Sequence, residues 1–184
     1  MWRLNEPNPV KLIIGILATN RRCLHAATDI VTSKFGRADL ISEVWPFDKT
    51  DYYKDQTGPR ILRQFVSIER LINPKRLAKI KLKTNKLEQH LAKALGIPLP
   101  RPVNLDPGFI EPSKLVLATT KNYSHRIYIG NKIYAEVTLI FEKGRWQPLA
   151  YTYPDYKEQY YFDFFERVRI QLLEQLKSQR HRKR

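Results

Sequence analysis

The side chains best equipped for chemistry lie between Asn104 and Tyr156, where polar and aromatic residues crowd strand and turn positions. His125 and Glu136 make a usable acid/base pair, because a carboxylate beside an imidazole raises the ring's affinity for a proton. Their placement depends on one hairpin. With a two-residue loop at Gly130-Asn131, His125 stands opposite Glu136. With the loop at Asn131-Lys132, the two are diagonal on one face. That face also carries Tyr134 and Thr138, and Tyr123 if pairing extends so far. A three-residue loop breaks this parity and moves His125 away. The same pair could instead be a cross-strand hydrogen bond that only steadies the sheet.

Thr119-Thr-Lys-Asn-Tyr-Ser-His-Arg126 adds hydroxyls, an ammonium and a guanidinium. This inventory suits a phosphate or carboxylate, with Arg126 as a planar fork and Lys121 as a point charge. Asp106, before Pro107-Gly108, reads as a turn residue whose carboxylate bonds nearby amides, or as an acid presented beside a strand end. Asp48, Asp51 and Asp55 offer oxygen ligands, but their order does not fit a calcium loop. The four histidines show no metal-ligand spacing, so no metal site is predicted. Cys23, the single cysteine, falls near the apolar side of a helix and reads as a buried thiol. No nucleotide P-loop, serine-hydrolase, kinase or dinucleotide fingerprint is present.

These residues must be held by the following elements. Lys11–Ala18 is a continuous apolar run, which suits a central strand buried on both faces. Thr19 or Asn20 can cap a helix reaching about Phe35. Strands are expected over 38–47 and 61–68. Asn73-Pro74 starts a second helix that ends near Leu95, before Gly96. On it, Leu77, Ile80, Thr84, Leu87, Leu91 and Leu95 form an apolar stripe. Beside them, Arg76, Lys79, Lys83, Lys86, His90 and Lys93 form a basic one. Residues 101–105 or 114–119 supply the next strand. A meander follows through 126–129, 133–142 and 145–151. Asp155 and Glu158 resemble a capping pair for a last helix, whose buried stripe is Tyr161, Phe165, Val168, Leu172 and Leu176.

The formal net charge is +15 and the pI near 10.0. The excess is local. Residues 60–93 carry ten Lys/Arg against Glu69 and Glu88, the tail 177–184 carries five more, and 104–176 is balanced. Such patches attract polyanions by counterion release, or act only as a solvated face that aids solubility. No run of apolar residues is long enough to span a bilayer, and no secretion signal opens the chain, so a cytoplasmic protein without a membrane partner is expected. The residues name no cofactor.

Several blocks together resemble the DUF4416 family of bacterial proteins. They are Trp45-Pro-Phe-Asp-Lys-Thr-Asp-Tyr-Tyr53, Arg63-Gln-Phe-Val-Ser-Ile-Glu69, Lys81-Leu-Lys-Thr-Asn85, Asn104-Leu-Asp-Pro-Gly108, 113–128, Tyr134-Ala-Glu-Val-Thr-Leu139 and Thr152-Tyr-Pro-Asp-Tyr156. The resemblance runs from about Val10 to Leu176 and implies one cytosolic bacterial domain, with no catalytic residues to carry over.

The expected fold is α+β: a ferredoxin-like βαββαβ half, extended by an antiparallel meander and a C-terminal helix. One domain is expected over 1–176, with 177–184 a disordered basic tail. The leading functional expectation is a binding module for phosphate-containing ligands, RNA or a nucleotide. In it, Lys79, Lys83, Lys86 and Lys93 contact backbone, Lys121 and Arg126 orient a phosphate, and Tyr123 and Tyr134 offer stacking faces. The competing expectation is a hydrolase or transferase on a small phosphorylated or carboxylated substrate. There His125 is the general acid/base, and Glu136 or Asp106 is its orienter.

Overall fold

Lys11–Ala18 forms β1, and all eight residues are buried, as an apolar run without polar alternation demands. The computed structural model describes residues 2, 4–48, 57–58 and 60–182. Asp51 and Asp55 lie outside them. After β1, the Asn20 side chain accepts the Cys23 amide at 2.9 Å and opens α1 (Arg21–Phe35). The single strand expected over 38–47 divides into β2 (Ala38–Ile41) and β3 (Trp45–Phe47). Both pair with β4 (Ile61–Ile68). Between them the Phe65 amide donates to the Ser42 hydroxyl at 2.9 Å, so a side chain takes a ladder position and the strand breaks.

A one-turn 3-10 helix at Pro74–Arg76, capped by Asn73, runs into α2 (Leu77–Leu95). Then come β5 (Val103–Glu111), β6 (Lys114–Thr119), β7 (Ile127–Tyr128), β8 (Tyr134–Glu142) and β9 (Arg145–Pro148). A 3-10 turn at Pro154–Lys157 leads into α3 (Gln159–Arg182). The architecture is α+β. One mostly antiparallel sheet has the order β2-β4-β1-β5-β6-β8-β7, with β3 also on β4 and β9 also on β8.

The sheet separates two cores. On one face, Leu12, Ile14, Ile16, Val66 and Leu105 pack with α1 and α2. On the other, Ile13, Phe65, Ile110, Leu115 and Leu139 pack with Tyr161, Phe165, Val168 and Leu172 of α3. Each such side chain contributes about 1.5–3 kcal/mol on burial. Lys11, fully buried, pins the layers: its ammonium bonds the Asp39 carboxylate on β2 and Gln175 Oε1 on α3, the latter at 2.7 Å.

Three expectations are corrected. Asn104-Leu-Asp-Pro-Gly108 is not a turn but lies inside β5, paired along β1 from Leu17↔Asn104 to Ile13↔Gly108. Gly108 is needed because a Cβ there would sit 2.6 Å from Leu117 Cδ2 and closer still to the Val116 carbonyl oxygen. Second, the hairpin loop has three residues, Gly130, Asn131 and Lys132, all at positive φ. Its register is Ile127↔Ala135 and Tyr128↔Tyr134, the case that breaks the expected parity. Third, the Asp155 carboxylate accepts from Arg63 Nη2 at 2.9 Å, so it faces the sheet.

The β5–β6 ladder ends at Gly108↔Leu117, while β5 continues back to Val103 along β1. The missing strand leaves backbone groups of Leu105 to be satisfied otherwise. Glu88 accepts the Leu105 amide at 2.7 Å, and Lys81 donates to the Leu105 carbonyl at 3.0 Å. Two buried charges of α2 thus stand in for a β partner. The gap they edge is the start of a cleft.

Candidate functional site

Where β5 and β6 part, a cavity of about 630 Å³ opens. Its walls are Asn104 and Asp106 of β5, residues 117–121 at the end of β6, Glu136 of β8, Arg63 of β4 and Phe47 of β3. Lys81 and Arg101 border it from the helix side, and residues 153–156, the turn before α3, cover it. Five cations (Arg63, Lys81, Arg101, Lys121, Arg126) thus share one cleft with three carboxylates, Asp106, Glu136 and Asp155.

Most of these charges are committed to each other. Arg101 donates to Glu88 Oε2 from Nε at 2.9 Å and from Nη2 at 2.6 Å. Lys81 lies 3.3 Å from Asp106 Oδ1, and Asn104 donates to Asp106 Oδ2 at 2.5 Å. Burial pushes the Asp106 carboxyl up, but Lys81, Arg63 and Arg101 together hold it below the ordinary aspartate range. Burial wins for Asp155, whose pKa is raised despite Arg63, and for Glu88 despite Lys81 and Arg101.

Arg63 differs. Its side chain is buried, and the guanidinium carbon sits 5.0 Å from the Phe47 ring, 5.3 Å from Phe65 and 5.7 Å from Tyr156. Gly15 on β1 makes the room: a Cβ there would lie 2.9 Å from Arg63 Nη1. Asp155 takes Nη2, while Nε and Nη1 make no hydrogen bond of ordinary distance and angle, with the Tyr161 side chain the polar neighbour that Arg63 still influences. The Tyr156 hydroxyl, also buried at the cleft, makes none either, and burial raises its pKa well above the ordinary value. Three buried polar atoms therefore await an acceptor in one corner. Unmade hydrogen bonds of this kind cost about 1–3 kcal/mol each.

At the opposite end, one residue beyond the last hairpin pair, Ile127↔Ala135, Arg126 comes level with Glu136, and Arg126 Nε donates to Glu136 Oε2 at 2.8 Å. Its other nitrogens donate to the Lys121 carbonyl at 3.1 Å and the Tyr153 hydroxyl at 2.5 Å. Tyr153 is pushed up to about 12 by burial and by Glu136, so it stays a neutral phenol. His125 should be far from Glu136 in this register. It is not, because the chain leaves the ladder in a turn, closed by Arg126 N–H to the Tyr123 carbonyl, that swings the ring back. His125 Nε2 lies 3.2 Å from Glu136 Oε2. The imidazole stacks on Tyr151 at 4.0 Å and meets Tyr123 edge-on at 5.3 Å.

The structure thus brings Asp106, Lys121, Arg126 and Glu136 into one cleft, with His125 behind Glu136 and outside the lining. Tyr134 packs edge-on to Tyr128 at 5.5 Å and also lies outside. Lys79, Lys83, Lys86 and Lys93 are exposed on α2, whereas Lys81 is buried and reaches the cleft. At about 100° per residue, the exposed stripe and Lys81 occupy opposite sides of the helix.

Sequence reasoning missed Arg63, Lys81, Arg101, Asp155 and the cleft roles of Tyr153 and Tyr156. A signal existed. Arg63 alternates in phase with Ile61 and Phe65, and Lys81 and Glu88 fall on the 77-81-84-88-91 face, so each puts a charge at a core position.

Among the described residues, no group of three or more His, Cys, Asp or Glu could hold a metal ion, and no helix is long and apolar enough to cross a membrane. Cys23 is buried, and burial raises its thiol pKa. No curated protein and no solved structure matches the chain. Residues 8–171 match the family model described as a domain of unknown function, DUF4416, and the chain belongs to that family.

Proposed function

We propose that this DUF4416 protein binds a small phosphate-containing ligand, a nucleotide rather than RNA, in the cleft roofed by Tyr153–Tyr156. The observation that carries the reading is the buried Arg63 guanidinium with two unpartnered nitrogens, next to the unpartnered Tyr156 hydroxyl. A phosphate oxygen supplies the acceptors these donors lack. The size of the cleft favours a small molecule, since about 300–1,000 Å³ is the usual range of such sites. The geometry of α2 disfavours a single polyanion using both the exposed lysine stripe and the cleft, because Lys81 and the stripe face apart. Calorimetric titration at low salt with inorganic phosphate, pyrophosphate and AMP tests it. Binding should weaken about tenfold or more in Arg63→Lys, which keeps the charge and loses the fork. Lys121→Met, nearer the surface, gives a second variant whose fold is less at risk. Absence of binding by the wild type, or equal binding by both variants, refutes the proposal.

A second reading rests on the carboxylates. Pure anion binding has no need of Asp106, Glu136 and Asp155 in the same cleft. A hydrolase or transferase would use Glu136, oriented by Arg126 and His125, to exchange a proton with the bound ligand. Phosphate release followed by 31P NMR decides: turnover lost in His125→Ala with pyrophosphate binding retained supports an enzyme, and no turnover leaves the binding reading.

We further read residues 11–111 as a ferredoxin-like half, supported by the order β2-β4-β1-β5 with α1 and α2 on one face. A cytoplasmic bacterial setting is part of the same proposal, on the family resemblance and the lone buried Cys23.

A further inference from the structure

The rim beside Glu136 carries a group of aromatic side chains that the fold leaves open. Tyr123 is 67% exposed, and Tyr151 and Tyr153 are each more than a third exposed. Phe65, Trp146, Tyr156, Tyr161, Phe164 and Phe165 are instead buried in the core under α3. The His125 ring is held parallel to Tyr151 at an interplanar angle of 11°, with Tyr123 across its edge. This stack abuts the cleft at two points. His125 meets Glu136, and Tyr153, which covers the cleft, is bonded to Arg126 in the same turn that positions His125. Tyr151 and Tyr153 also flank Thr152, whose hydroxyl donates to the Thr138 carbonyl and accepts the Leu149 amide, so the segment is fixed to β8. The Tyr151–Tyr153 side of the platform is therefore anchored to β8 and contiguous with the anion cleft.

We infer that this stack is a base platform, and that the ligand is a nucleotide whose phosphate enters the cleft while its base lies on Tyr151 and Tyr123. The inference rests on the phosphate reading of the cleft and deepens it. The chemistry is that of sequence-tolerant base binding. A neutral aromatic face accepts any nucleobase, and Tyr151 remains neutral because burial and the Glu136 charge both raise its pKa. His125 then acts as a positioning residue, backing the Tyr151 ring and tying it to Glu136. Stacking on an aromatic face is sequence-tolerant, so selectivity for the presence of a base, not its identity, is expected.

The test compares ribose 5-phosphate, which has the phosphate and no base, with AMP, GMP and UMP, by calorimetry at constant ionic strength. The nucleotides should bind about tenfold more tightly than ribose 5-phosphate, the gain typical of one stacked base. The ratio, and not either affinity alone, is the readout. Tyr151→Ala and Tyr123→Ala should each bring it toward one, with circular dichroism confirming that both variants fold. His125→Phe, which keeps a flat ring, should preserve the ratio, and His125→Ala should lower it. If ribose 5-phosphate binds as tightly as the nucleotides, the base platform is wrong and the phosphate cleft survives. If the ratio persists in both tyrosine variants, the base lies elsewhere and the inference is overturned. If none of the four compounds binds, both readings fall.

Discussion

Replacing Arg63 with Met keeps an apolar side chain among the cage aromatics and removes the charge together with its hydrogen bond to Asp155. The side chain is 4% exposed and its partner Asp155 is 7% exposed, so the pair is desolvated on both sides. Removing one member of a buried pair costs about 3–5 kcal/mol, mostly the penalty of the stranded charge. Methionine recovers part of the packing against Phe47, Phe65 and Tyr156 through its polarisable sulfur. For a chain of this size, such a loss lowers the melting temperature by about 6–20 °C. The deficit should depend on pH, with a definite sign. Burial already raises the Asp155 pKa while Arg63 pulls it down; without Arg63 it rises further. A carboxyl whose folded pKa exceeds its unfolded value contributes stability below the unfolded pKa, about 3.9, that is lost as pH rises through the folded pKa. The variant should therefore be most impaired at pH 7 and approach the wild type near pH 4. Arg63→Met/Asp155→Asn should recover more than half of the loss at pH 7. Urea unfolding of the four proteins at pH 4, 5.5 and 7 measures all of this. A loss below about 1 kcal/mol, the level of an exposed pair, refutes the reasoning. So does a loss with no pH dependence, or a double variant as unstable as the sum of the singles.

Further predictions follow from the same geometry. Gly108→Ala should destabilise by about 1–3 kcal/mol or more, because its Cβ meets the Val116 backbone as well as Leu117; chemical denaturation measures it. Asp106 has a folded pKa below its ordinary value, so the stability it contributes is present above about pH 3.9 and lost as pH falls through the folded pKa. Asp106→Asn should flatten the acid limb of the stability curve below about pH 4, as measured by unfolding between pH 2 and 5. Lys11→Met should cost about 3–5 kcal/mol by stranding Asp39, and Lys11→Met/Asp39→Leu should recover much of it. Reversing Lys83 and Lys86 to Glu should change affinity for pyrophosphate by no more than about twofold at 0.15 M salt, since exposed charges beyond about 8 Å are screened. A loss equal to that of Arg63→Lys would place the ligand on the outer face of α2.

Local rules reached most of the elements. The unbroken apolar run 11–18 can be satisfied only between two layers, so β1 was legible as the centre of a sheet before any partner was known. Asn20 and Asn73-Pro74 announced their helices by capping chemistry, which acts within four residues. The spacing of Tyr161, Phe165, Val168, Leu172 and Leu176 fixed the buried side of the last helix. Rules of this range fail where a distant neighbour decides. Asp106-Pro-Gly108 has the composition of a turn, and only the approach of Val116 and Leu117 shows why a glycine belongs in a strand there. The loop at Gly130–Lys132 took three residues where two were expected. His125 nonetheless returned to Glu136, because the turn at Tyr123–Arg126 undid the change of parity.

By itself, then, the sequence determined an α+β chain, its helix starts and stops, its central strand and the neutral segment that would carry His125, Glu136, Lys121 and Arg126. Tertiary structure alone decided which charges meet. Arg63, the Lys81/Glu88 pair and Asp155 come from three separate segments, and Arg63, Lys81 and Glu88 each sit at a position whose periodicity assigns it to the core. A charge can be held there only if a partner far along the chain satisfies it, and neither the identity nor the geometry of that partner is encoded locally. That is why the Arg63 corner, with its open donors, became visible only when β5 and β6 were seen to part.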